Sequence, residues 1–132
     1  MNHVTKKFPK LFLFFCFLAI LIFPFSCKKQ AGPGGKSSVT GRIWVKDFPT
    51  MVEYAGYDEY VYIIYGDDIS YGDRIRSTYD GRFEFKYLRK GKYKIYAYSM
   101  ALASLQDSAV VREFEITKNG EAVDLSNVMI YK

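Results

Sequence analysis

Apolar and polar residues alternate along most of this chain after residue 38. In the first such segment Val39, Ile43 and Val45 fall on one side, whereas Arg42 and Trp44 fall on the other. A period of two is typical of β-strands with one buried face, and turn-forming residues interrupt it at short intervals. No segment in this region shows the spacing of an amphipathic helix. The pattern therefore predicts a domain made of strands.

The turns between these segments allow the strands to be counted. Asp80-Gly81 and Asn119-Gly120 are pairs typical of tight hairpin turns, because glycine tolerates a positive φ. About seven short strands without a covering helix predict an all-β, Ig-like or transthyretin-like sandwich of two sheets. Four large aromatic residues are expected in its core, namely Phe83, Phe85, Tyr93 and Phe114.

The N-terminus has the pattern of a secretory signal. Lysines precede an apolar run over residues 11–25, which is shorter than the roughly 20 residues of a membrane-spanning helix. The run ends at Ser26-Cys27, and a small residue before cysteine at this point resembles a bacterial lipoprotein signal. The resemblance implies cleavage after Ser26 and a lipid on Cys27. Plain secretion and an uncleaved anchor are the alternatives.

These observations predict three regions and a location. Residues 1–26 are expected to form the signal peptide, residues 27–38 the lipidated cysteine with a flexible Gly-rich tether, and residues 39–132 the sandwich. The lipid would make the membrane a partner and place the protein in the cell envelope. Lys28 follows the cysteine where inner-membrane lipoproteins typically have Asp, so the outer membrane is expected.

Charge and composition narrow the function. Six of the 19 basic residues and none of the 14 acidic ones lie in residues 1–38, so residues 39–132 carry 13 basic and 14 acidic residues. The domain thus lacks the basic footprint of a nucleic-acid-binding protein. Residues 28–132 also contain no His and no Cys, which excludes imidazole- and thiol-based catalysis and zinc sites built on those groups. We expect no enzyme and no cofactor.

One hairpin resembles a known family. The segments 78–85 and 88–98, with Asp80-Gly81 and Phe83 in the first and Tyr93 in the second, are similar to the carboxypeptidase regulatory-like domain. The resemblance implies an Ig-like sandwich that serves as a binding, spacer or fold-assisting module. The family's hydroxyisourate hydrolases depend on histidines and a Tyr-Arg-Gly-Ser terminus. This chain ends in Tyr131-Lys132 and does not fit that branch.

Strand alternation also indicates a binding surface. If their strands are neighbours, five aromatic residues share an outward-facing patch suited to a glycan or an envelope protein. Alternatively, residues 47–58 or 99–107 fold over these rings and cover them. The five residues are Trp44, Tyr60, Tyr62, Tyr96 and Tyr98.

Three carboxylates lie close together in one loop. Asp67, Asp68 and Asp73 supply oxygen ligands that could hold Ca²⁺, although a solvated turn is the simpler interpretation.

Taken together, the sequence predicts a membrane-anchored, non-catalytic binding or accessory module for a protein or glycan. The alternative is a structural subunit or anchor of a surface fibre, assembled by strand addition at a sheet edge.

Overall fold

Two four-stranded sheets face each other in this protein. The structure is a computed structural model that describes residues 30–104 and 106–132. The strands in chain order are β1 (Pro33–Lys46), β2 (Glu53–Ala55), β3 (Tyr60–Tyr65), β4 (Asp73–Arg76), β5 (Arg82–Leu88), β6 (Gly91–Ala101), β7 (Gln106–Ile116) and β8 (Ala122–Tyr131).

The longest strand, β1, organises the first sheet. It pairs on one side with β8 in parallel, and on the other side with β5 and then β2 in antiparallel. We call this sheet A. Sheet B is antiparallel throughout, in the order β4-β3-β6-β7. The predicted all-β sandwich of two sheets is confirmed, with eight strands rather than about seven.

The additional strand is β2, whose three residues show why the sequence did not reveal it. Glu53 and Tyr54 are exposed, so this segment carries no inward apolar side chain. It is a strand because its backbone pairs with the end of β1, where Lys46 lies opposite Glu53. Such pairing depends on the partner strand and leaves little trace in a three-residue pattern.

The core lies between the sheets and contains the residues that alternation predicted. Phe83, Phe85 and Tyr93 are buried, and Phe114 is partly buried against them. The Tyr93 and Phe114 rings stack with their centroids 5.3 Å apart. From β1 the core receives Val39, Ile43 and Val45, all fully buried.

The flexible tether predicted for residues 28–38 is wrong over its second half. Strand β1 begins at Pro33, six residues before the predicted domain boundary. The Gly32 amide donates a hydrogen bond to the buried Tyr93 hydroxyl (3.0 Å). A Cβ on Gly35 would lie 1.8 Å from the Leu88 carbonyl oxygen. Glycine at this position therefore allows β1 and β5 to pack closely.

Ser37 fixes this segment to the far end of the chain. Its side chain is buried, its Oγ accepts hydrogen bonds from the Gly120 and Glu121 amides (3.0 and 3.2 Å), and it donates one to the Lys118 carbonyl (3.2 Å). The partners lie more than 80 residues away in sequence. The local composition around Ser37 therefore could not predict these hydrogen bonds.

The leader lies outside the described residues. Cleavage after Ser26 and lipidation of Cys27 therefore stay predictions. Within residues 30–104 and 106–132, no helix is long and apolar enough to cross a membrane.

Candidate functional site

The outer surface of sheet B carries a cluster of tyrosines. In β3 and β6 the core takes one set of alternating residues, including Val61, Ile63, Ile95 and Ala97. The intervening residues must then point outward. We call the resulting surface the tyrosine face; it consists of Tyr60, Tyr62, Tyr71, Tyr96 and Tyr98.

Tyr62 lies at the centre of this face. Its ring stacks on Tyr96, directly opposite in the sheet register, with centroids 4.7 Å apart and planes 6° from parallel. The Tyr98 ring meets Tyr62 edge-on at 5.6 Å, and Tyr60 lies at 6.0 Å. These are the separations at which aromatic pairs attract each other beyond their buried area. The cluster therefore holds its rings in fixed orientations.

The loop between β3 and β4 adds the fifth ring. Tyr71 packs edge-on against Tyr62 with centroids 5.1 Å apart. Gly72 allows the loop to lie this close to the sheet, because a Cβ there would be 2.1 Å from the Tyr65 ring. The loop thus borders one side of the cluster through Tyr71.

Two arginines of β4 border the face. In the sheet register Arg74 lies opposite Tyr62 and Arg76 opposite Tyr60. Both guanidinium groups lie over the Tyr60 ring, with Cζ 4.8 Å and 4.1 Å from its centroid. These are cation–π distances.

The two arginines differ in their other partners. Arg76 forms an ion pair with Asp58 and donates a hydrogen bond to the Tyr60 hydroxyl (2.6 Å). Arg74 has no carboxylate within 4 Å in the described part of the chain. Arg74 is exposed, so its charge is available at the rim of the tyrosine face.

The phenol groups affect one another. Burial, followed by the neighbouring Tyr98, Tyr62 and Tyr71, raises the pKa of Tyr96 above its ordinary value. The Tyr96 phenol therefore stays neutral at physiological pH, where it can both donate and accept hydrogen bonds. The face offers apolar ring surface and hydroxyl groups side by side.

Residues 47–58 and 99–107 leave this surface accessible. Tyr98 is 55% exposed and Tyr71 is 45% exposed. Tyr62 is only 8% exposed, and the rings within 6.0 Å of it are those of its fellow tyrosines. Four of the five predicted residues, Tyr60, Tyr62, Tyr96 and Tyr98, thus share one surface, on which Tyr98 is exposed, Tyr60 and Tyr96 are partly exposed and Tyr62 is buried.

The fifth predicted residue, Trp44, lies elsewhere. It belongs to β1 and points outward from sheet A, so its placement with the tyrosines was wrong. Its Nε1 donates a hydrogen bond to Glu53 (3.3 Å), and Arg42 lies over its ring at 4.8 Å. Strand parity predicted an outward ring correctly, but it could not show which sheet contained β1.

The acidic loop does not assemble a metal site. Within residues 30–104 and 106–132, no three His, Cys, Asp or Glu side chains come together in a way that could hold a metal ion. Asp67 and Asp68 follow the end of β3, whereas Asp73 opens β4 and accepts a hydrogen bond from the Arg74 amide (2.8 Å). Their closeness in sequence therefore does not become a shared ligand set.

A broad open cleft of about 950 Å³ lies along sheet A and the β4–β5 turn and reaches β4 at Ile75 and Arg76. Its lining charges are largely paired with each other, as in Arg82 with Asp80 and Lys86 with Glu84, both at 3.1 Å. It carries no cluster of rings comparable to the tyrosine face. We therefore take the tyrosine face as the candidate site.

Comparison with known proteins finds a similar fold among solved structures. The sequence matches no protein-family model and no curated protein. Among solved structures, the chain is similar to a proposed carbohydrate-binding protein from Pseudomonas aeruginosa, with a TM-score of 0.48 and 11% identity over 77% of this chain and 92% of that one. At this level of similarity nothing about the ligand of this chain follows from it. The resemblance to carboxypeptidase regulatory-like domains stays a prediction.

Sequence reasoning missed three members of the site: Tyr71, Arg74 and Arg76. The two arginines alternate with Ile75, and this alternation is a recognisable signal of a short strand. Their position beside the tyrosines, however, depends on β4 pairing with β3. Tyr71 lies in a loop, where no periodic pattern indicates direction.

Proposed function

We propose that this protein is a non-catalytic, lipid-anchored binding module of the cell envelope that binds a glycan on its tyrosine face. The observation that carries the proposal is the cluster of five tyrosines on the outer surface of sheet B, in which Tyr98 and Tyr71 are about half exposed and pack on the buried Tyr62. Exposed aromatic clusters are uncommon on a surface without a binding role.

The chemistry of the face suits a sugar. A pyranose ring has an apolar side made of C–H groups and a rim of hydroxyls. Tyrosine offers the matching pair, a flat apolar ring and a polar tip, at little cost in side-chain entropy. The packed rings are also held in place before binding, which lowers the entropic cost of association.

A glycan-binding assay tests this proposal. Tyr98→Ala removes the most exposed ring and should weaken binding of envelope polysaccharide at least about tenfold, in line with the loss of one anchor residue. Trp44→Ala is the matched control, because it removes an aromatic side chain from the opposite sheet and should leave binding unchanged. Equal loss in both variants, or no binding by the wild-type protein, would contradict the proposal.

The lipid anchor has its own test. Cys27→Ser should leave the protein in the soluble fraction of the envelope, whereas the wild-type chain should sediment with membranes. Mass spectrometry of the natural protein should give an N-terminal Cys27 carrying acyl chains. A natural protein beginning at Met1, or an unmodified Cys27, would contradict this part of the proposal.

A second candidate function, a fibre subunit joined by strand addition, is favoured by β7. This strand has 11 residues, and in the described part of the chain it pairs only with β6. Against this candidate, the exposed Arg112, Glu113 and Glu115 of β7 are charges of the kind that protect a sheet edge from pairing with another strand. Concentration-dependent growth in light scattering, abolished by Val111→Pro, would support assembly; a monomer at all concentrations would support the glycan module.

A further inference from the structure

The tyrosine face has a charge at one border that its ring cluster does not require. Arg74 lies opposite Tyr62 in the register, and Tyr62 lies opposite Tyr96. Arg74, Tyr62 and Tyr96 are thus neighbours in one row across the sheet, and the Arg74 guanidinium extends from this row over the Tyr60 ring. Neighbouring strands are about 4.8 Å apart, so the row spans roughly 10 Å from Arg74 to Tyr96, about the length of two linked sugar rings.

The other charges near this row are largely engaged elsewhere. Arg76 is paired with Asp58, and Lys94 is paired with Glu113 across β6 and β7 (3.4 Å). Lys92 lies opposite Glu115 in the register without a carboxylate within 4 Å in the described part of the chain, but it is four residues along β6 from Tyr96, roughly 13 Å away. Asp73 precedes Arg74 and, by strand alternation, points to the other side of β4. Among the residues that the structure describes, Arg74 is therefore the charge without a carboxylate partner that lies next to this row.

From this arrangement we infer that the ligand is an acidic glycan, and that Arg74 binds its carboxylate. The inference rests on the proposed glycan function and names the class of sugar. Arginine suits this task because its planar guanidinium can donate two parallel hydrogen bonds to one carboxylate. The Tyr60 ring beneath Arg74 limits the positions of the guanidinium and leaves its edge available.

Binding of oligogalacturonate and its carboxyl-reduced neutral form to the full chain, purified in detergent, tests this inference. Wild-type protein should bind the acidic form at least about tenfold more tightly, and the preference should shrink as NaCl rises from about 50 to 300 mM. Arg74→Gln should remove the preference while leaving weak binding of the neutral form. Arg74→Lys should retain part of it, since a point charge replaces the two-pronged donor.

Arg112→Gln is the matched control, because it removes an exposed arginine from β7 and should leave the preference intact. If the acidic and neutral forms bind equally well and Tyr98→Ala weakens both, the glycan function holds and the role of Arg74 is overturned. If neither form binds, the inference is overturned, and an array of neutral envelope glycans then decides the proposed function separately. Circular dichroism of each variant confirms that binding losses do not come from unfolding.

Discussion

At the scale of single residues, two polar side chains bind backbone groups that lie outside the strands. The Tyr93 hydroxyl accepts a hydrogen bond from the Gly32 amide and donates one to the Arg89 carbonyl (2.7 Å). The Glu121 carboxylate accepts hydrogen bonds from the amides of Thr117 and Lys118 (2.8 and 2.9 Å). Tyr93 thus joins segments 61 residues apart, whereas Glu121 closes the β7–β8 turn.

Removing the Tyr93 hydroxyl should destabilise the domain. Tyr93→Phe keeps the ring and its stacking on Phe114, but it leaves the Gly32 amide and the Arg89 carbonyl without this partner. We expect a loss of about 1–3 kcal/mol in the free energy of unfolding, measured by urea denaturation. Tyr79→Phe is the control, because Tyr79 is 83% exposed and its hydroxyl makes no hydrogen bond within the described residues. Equal stability of the two variants would refute this role.

Glu121 should make stability depend on pH. The Lys118 and Thr117 amides lower the pKa of this carboxyl below its usual value. A lowered folded-state pKa means that the stabilisation is present above about pH 4.5 and is lost as the pH falls through the folded-state value. Glu121→Gln should therefore show a smaller drop in urea midpoint between pH 7 and pH 3 than the wild-type protein. Glu115→Gln should show the wild-type drop; identical profiles for Glu121→Gln and wild type would contradict the prediction.

At the scale of elements, β1 ties the molecule together because it is the strand through which sheet A is built. Its second half carries the apolar alternation, whereas its first half, residues 33–38, is rich in Gly and Ser. This first half is held by backbone pairing with β5, where Ser37 lies opposite Leu88, and by the Ser37 hydroxyl. From its composition, this segment was predicted to be part of a flexible tether.

The position of the true domain boundary can be tested by truncation. A chain beginning at Gln30 should unfold at the same urea concentration as one beginning at Lys28. A chain beginning at Val39 should be less stable by about 3 kcal/mol or more, at about 1 kcal/mol for each hydrogen bond lost. If all three chains proved equally stable, residues 33–38 would contribute nothing and the tether prediction would stand.

At the scale of the whole molecule, the strand directions give the sandwich two distinct ends. β1 starts at the end that holds the β5–β6 turn with Lys90, and it finishes near the β4–β5 turn with Tyr79. Its 14 residues correspond to a length of about 43 Å. The five residue-to-residue steps from Cys27 to Gly32 reach at most about 18 Å. A lipid on Cys27 would therefore keep the Lys90 end close to the bilayer.

Fluorescence transfer to a dye in the membrane measures this orientation. Lys90→Cys and Tyr79→Cys each place one labelling site on the protein, since under the proposed processing Cys16 would leave with the signal and Cys27 would carry the lipid. A label at residue 90 should transfer energy strongly to the membrane dye, and a label at residue 79 should transfer it weakly. Equal transfer from both sites would contradict this orientation. It would mean that the domain lies on its side on the bilayer, or that the segment linking it to Cys27 extends beyond Gly32.

The sequence by itself determined the class of fold and the direction of most side chains. Alternation in β1, β5 and β6 is a local property, because successive residues of a strand point to opposite faces whatever the partner strand is. This is why Val39, Phe83 and Tyr93 were predicted correctly as core and why Tyr96 and Tyr98 were predicted to point outward.

The tertiary structure decided which outward residues share a surface. Trp44 and Tyr62 both point outward, yet they lie on opposite sheets, because sheet membership depends on pairings between strands distant in sequence. The same pairings bring Arg74 beside Tyr62 and turn a Gly-rich segment into the first half of β1. Such contacts are set by hydrogen bonding and packing across the whole chain, and they leave no periodic signal in the residues that form them.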